Sequence, residues 1–127
     1  MTTRQALLAA VLLPALLAGP ALAQGLPGEP GRGLALAGRR CVDSHDTAPG
    51  KRKPRAVRVP PRADRAPGVV EVPTFQAVAD DPAATEAALR AFLRTPHAAM
   101  PDLRLTSDQT DDVVAYILSL KGRRSGT

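Results

Sequence analysis

The clearest apolar periodicity lies in the last third of the chain. Val113, Val114, Ile117, Leu118 and Leu120 make one helical stripe behind Thr106 and Gln109, which have the spacing of a capping box. Asp108, Asp111 and Asp112 suit the positive start of that helix, and Lys121-Gly122 closes it. A second stripe, Leu89, Phe92 and Leu93, predicts an amphipathic helix over Ala83 to Leu93, with Asp81 as N-cap and Pro82 at the first helical position. Thr95-Pro96 ends it, because the residue before proline is pushed out of the helical region, so His97 to Asp102 reads as a loop. Leu34 to Arg40 is a shorter helix candidate running into Cys41, and Val69-Val70-Glu71-Val72 suits a short extended stretch. Three helices without a convincing sheet predict a small all-α domain over residues 34–121, with 122–127 as a tail.

The remaining stretches lack either period. Residues 1–23 have the build of an export signal: Arg4 at a basic start, an apolar run from Ala6 to Leu17, and Ala21-Leu22-Ala23 as a small-residue cleavage site. That run holds Pro14 and falls short of the roughly 20 residues a membrane span needs, so the expected product is exported and has no integral membrane segment after cleavage. Residues 24–33 are Gly/Pro-rich and read as a flexible leader. Pro49 to Gly68 carries seven Lys/Arg, five Pro and one Asp, which predicts an exposed, extended basic loop over 51–68.

Composition sharpens this picture in two ways. With two Phe, one Tyr and no Trp in 127 residues, the core is thin for a domain of this size, and a bound apolar cofactor would supplement it. The single Cys cannot form an internal disulfide, so Cys41 is free, paired with another chain, or bonded to something else. No paired-carboxylate site or nucleophile motif is present, which argues for a non-enzymatic protein.

One constellation carries specific chemistry. Cys41-Val42-Asp43-Ser44-His45 has the spacing of the c-type haem attachment motif C-x-x-C-H, with Ser44 where the second cysteine stands. Only one thioether can form on such a segment, since a serine hydroxyl does not add to a haem vinyl as a thiol does. From about Gly33 to Lys121 the chain resembles the small class I (mono-haem) cytochrome c family. Val72-Pro73-Thr74-Phe75 is similar to the family's apolar segment after the motif, and Leu89-Arg90-Ala91-Phe92-Leu93 to its middle helix. Thr95 to Leu103 resembles the axial-methionine loop, and Asp112 to Leu120 the C-terminal helix.

The resemblance implies a fold of about three helices packed around haem c. It makes Cys41 the covalent anchor, His45 the proximal iron ligand and Met100 the distal one, with His97 a second choice. It implies a periplasmic one-electron carrier rather than a catalyst, working with redox partner proteins. The basic run 51–68 has three readings: a docking patch for acidic partners, a contact for nucleic acid or anionic membrane, or a solvated loop. Nucleic acid does not suit an exported chain whose basic run lacks interleaved aromatics. The rival class is a haem-less, cytochrome-like interaction module that uses the basic loop as its contact surface. A third option is noncovalent haem held by His45 and Met100.

Overall fold

The computed structural model describes residues 25–96, 100 and 103–123. The export signal, His97 and the end of the tail lie outside the described residues. The elements run α1 (Pro30–Arg40), β1 (Arg55–Val59), β2 (Gly68–Val72), α2 (Phe75–Asp80), α3 (Glu86–Arg94) and α4 (Ser107–Ser119).

Four helices and an antiparallel two-stranded sheet make the described chain a mixed α/β fold, which overturns the all-α expectation. β1 lies within the segment read as loop, whereas β2 coincides with the short extended stretch expected at Val69 to Val72. Val57 and Val59 alternate along β1 with exposed Ala56 and Arg58, and the register sets Val57 against Val70 and Arg58 against Val69. Pro54 and Pro60 stand immediately outside the strand, where they interrupt no ladder bond. The cationic and proline-rich composition hides a short period-2 pattern of β-branched residues, and that pattern decides the local structure.

Helix boundaries also differ from the expectation. α1 begins at Pro30, inside the segment read as a leader, because the Glu29 carboxylate accepts from the amides of Gly31 (3.1 Å) and Arg32 (2.9 Å) and so caps the helix. Asp81 does not start α3. Its amide closes α2 on the Val78 carbonyl (3.2 Å), its carboxylate takes the Ala83 amide (2.8 Å), and Thr85 caps α3 instead. α4 follows the sequence closely. Thr106 Oγ1 accepts from the Gln109 amide (3.2 Å), Gln109 Oε1 accepts from the Thr106 amide (3.0 Å), and Gly122 follows the helix with φ of 72°.

α4 is the hub. Val113, Val114, Tyr116, Ile117 and Leu120 are buried against Ala37 of α1, Phe75 and Ala79 of α2, and Leu89 of α3. Arg90 of α3 reaches Glu86 on its own helix and Asp111 of α4, which fixes α3 laterally. Gln76 is fully buried, donates to the Leu120 carbonyl (2.8 Å) and accepts the Gly50 amide (2.8 Å), holding the chain after the candidate motif onto α2 and α4.

Asp112 joins the start of α1 to α4. Its buried carboxylate accepts from the Glu29 amide (2.7 Å) and from Arg32 Nε (2.9 Å) and Nη2 (3.0 Å). The Arg32 guanidinium, foremost, holds the Asp112 carboxyl below its ordinary value of 3.8, against the opposing effect of burial. A depressed folded-state pKa means this contribution is full above the unfolded value near 3.8 and is lost as pH falls through the folded one. Glu29 and Asp80 are shifted the same way, so acid should destabilise the fold as a whole. Asp112→Asn is expected to lower the urea midpoint at neutral pH and to narrow its difference from the natural chain below about pH 4. A difference that stays constant down to about pH 2.5 would contradict this role for the carboxylate.

Candidate cofactor site at the end of α1

Cys41 is the C-cap of α1, its amide donating to the Ala37 carbonyl (2.9 Å). The chain then folds back on itself: the amides of Ser44 (3.1 Å) and His45 (2.8 Å) both donate to the Cys41 carbonyl. Cys41, Ser44 and His45 therefore share one tight turn at the end of a helix that is itself packed on α4. Cys41 is half-buried against the core, and that burial pushes its thiol pKa above the ordinary value, with Arg40 pulling weakly the other way.

His45 has a defined tautomer. Its Nδ1 lies 2.8 Å from the Pro73 carbonyl, which can only accept, so Nδ1 carries the proton and donates. In the neutral ring the lone pair is then on Nε2. The imidazole packs at a tilt on Phe75, with centroids 5.5 Å apart, and Phe75 packs in turn on Tyr116 of α4, at 6.3 Å. The Tyr116 hydroxyl donates to the Thr47 carbonyl (2.6 Å), and burial raises the phenol pKa. A ring ladder thus connects the turn to the hub helix.

Met100 is half-buried and lines an open groove of about 410 Å³ between the end of α3 and the start of α4, together with Phe92, Leu93, Leu103 and Leu105. Neither Cys41 nor His45 lines that groove. The structure thus brings Cys41 and His45 together in one turn and places Met100 in a separate groove that neither of them lines.

A thiol and an imidazole four residues apart, the latter oriented by a carbonyl on Nδ1 with its Nε2 electron pair available, fit a haem carried on one cysteine. Ser44 supplies no second thioether. Among the described residues no group of three or more His, Cys, Asp or Glu side chains is placed to hold a bare metal ion.

Two contributors escaped the sequence reading. The Pro73 carbonyl orients His45, and Arg55 of β1 donates from Nη1 to the Val42 carbonyl (2.7 Å) inside the turn. A backbone acceptor has no sequence signature, and the Arg55 contact depends on the unexpected hairpin. No helix among the described residues is long and apolar enough to cross a membrane.

Cytochrome c-552 from Bradyrhizobium diazoefficiens is 32% identical to this chain over 96 residues, which span 76% of the chain and 79% of that relative. No protein-family model and no solved structure matches the chain.

Proposed function

The chain belongs to the cytochrome c family, and from that membership we propose that it is an exported one-electron carrier holding a single haem c through one Cys41 thioether, with His45 and Met100 as iron ligands. The observation that carries the reading is the Nδ1–H of His45 donating to Pro73 at 2.8 Å. That bond fixes the ring, places the proton on Nδ1 and leaves Nε2 as the metal-binding atom. Haem, when bound, supplies an iron centre that cycles between ferric and ferrous states.

The chain's own residues supply the rest. Cys41 anchors at the fixed end of α1, and the Phe75 and Tyr116 rings behind His45 resist its rotation. Met100 would contribute a soft thioether, which favours the reduced state, from a groove whose lining mixes Phe92, Leu93 and Leu103 with Arg94 and Arg104. Two protein ligands leave no position for a substrate, so the proposed role is electron transfer and not catalysis. Residues 1–23 support export to the periplasm.

Acidic redox partners suit the charge layout. Lys51, Lys53, Arg58 and Arg62 are exposed, and the segment 51–68 holds seven cationic side chains against one Asp. Electron transfer to an acidic partner is accordingly expected to slow as ionic strength rises.

The test is the visible spectrum and denaturing-gel haem stain of the full chain exported from cells competent for cytochrome c maturation. A stained band with low-spin reduced bands is expected. Low-spin bands without gel-retained stain would replace covalent by noncovalent binding. A colourless protein from haem-replete cells would overturn the carrier reading and leave the basic hairpin as the place to seek a function.

A further inference from the structure

Attachment through one cysteine leaves a mechanical question at the Cys41–His45 turn. Its two internal bonds both converge on the Cys41 carbonyl, and Val42 between them is 43% exposed, so packing alone does not fix the turn. Two contacts from outside grip it. Arg55 Nη1 donates to the Val42 carbonyl at 2.7 Å, and the Pro73 carbonyl accepts from His45 Nδ1 at 2.8 Å.

Both contacts come from the base of the hairpin. Arg55 is the first residue of β1 and is paired in register with Val72, the last residue of β2, which leads directly into Pro73. Arg55 of β1 therefore holds position 42, and Pro73, the residue after β2, holds position 45. Pro54 enters β1 and Pro73 leaves β2, each with a fixed φ, so the two gripping points are set on stiff backbone. Below them the chain is tied again, the Phe75 amide donating to the Asp46 carbonyl (3.0 Å) and the Thr74 hydroxyl to the Lys51 carbonyl.

We propose that Arg55 is a positioning residue: with the Pro73 carbonyl it braces the Cys41–His45 turn and supplies the constraint that a second thioether at position 44 would otherwise supply. The inference rests on the carrier reading for its purpose, but the brace itself belongs to the polypeptide. Arginine suits the role because its planar, permanently charged fork reaches a backbone carbonyl in a fixed direction, which a lysine ammonium does not reproduce. The hairpin is then a structural part of the site as well as a charged surface.

Two experiments on the full chain test this, and they fail separately. In the haem-free protein, amide hydrogen exchange at Ser44 and His45 is expected to rise roughly tenfold in Arg55→Ser, with partial recovery in Arg55→Lys and no change in α4. Exchange at those two amides within twofold of the natural chain would overturn the brace whether or not haem binds. In chains exported under maturation conditions, Arg55→Ser is expected to cut the haem-to-protein ratio roughly tenfold. The same substitution beside Ser44→Cys should cost less than about twofold, since the second thioether then holds the turn. An equal loss in both backgrounds would overturn the substitution of one constraint for the other. If every variant is colourless the carrier reading fails, and the exchange arm still decides the role of Arg55.

Discussion

Gly33→Ala is expected to destabilise the fold by about 3 kcal/mol, read as a fall in the urea midpoint, although alanine is the better helix former by about 1 kcal/mol. Gly33 is buried where α1 crosses α4, and a Cβ placed on it would lie 2.0 Å from the Asp112 carbonyl oxygen, 2.6 Å from the carbonyl carbon and 2.7 Å from Tyr116 Cβ. Two of those three atoms are backbone, so no rotamer change relieves the overlap. The helices must part, which opens the packing of Ala37 on Val113, Tyr116 and Ile117 and strains the Asp112 bonds to Glu29 and Arg32. Gly38 on the same helix provides the control. A Cβ there meets nothing within 4 Å, so Gly38→Ala should be neutral or stabilise by up to about 1 kcal/mol. If the two variants behave alike, the close crossing of α1 and α4 is wrong. The effect extends to the site, since α1 ends in Cys41 and a shifted helix carries the Cys41–His45 turn away from Pro73 and Arg55.

What could be read from sequence divides along the range of the interactions. The start of α4 is legible because Thr106 and Gln109 satisfy each other's amides within one turn, and the stripe from Val113 to Leu120 faces one way at a single period. The start of α3 is not, because Asp81-Pro82 and Thr85 both offer cap chemistry four residues apart, and the end of α2 claims the first. The capping role of Glu29 is masked by the glycines and prolines around it. β1 is masked by Arg55, Arg58 and the flanking prolines, and it becomes stable only by pairing with β2, a partner nine residues further along. The same division holds in the site. Cys41 and His45 declare themselves by local spacing, whereas the orientation of the imidazole depends on a carbonyl 28 residues away. The Val42 brace depends on a strand whose existence the composition conceals. Met100 is marked by resemblance, with a groove of mixed apolar and cationic side chains around it that single-residue reasoning does not assemble.

Cys41→Ser is expected to reduce gel-retained haem to background while leaving a folded chain. The sequence holds one cysteine, so covalent retention rests on one bond and the loss is all or none rather than graded. The fold should tolerate the change because Cys41 is only half-buried at a helix end, where a hydroxyl replaces a thiol at a cost of about 1 kcal/mol. Burial raises the thiol pKa, so in the haem-free protein the thiolate is scarce at neutral pH and alkylation should run slower than in urea-unfolded chain. This combination separates the two ways in which the turn can hold a cofactor. The tautomer of His45 is set by Pro73 and owes nothing to the thiol, so its Nε2 remains available in the serine variant. If low-spin absorption survives in Cys41→Ser, His45 and Met100 suffice for binding and the thioether contributes retention. If absorption disappears with the stain while the urea midpoint is unchanged, attachment through Cys41 is what brings the iron to His45. Stain that persists in the variant would break the assignment at its root, since the chain would have no other thiol from which a thioether could form.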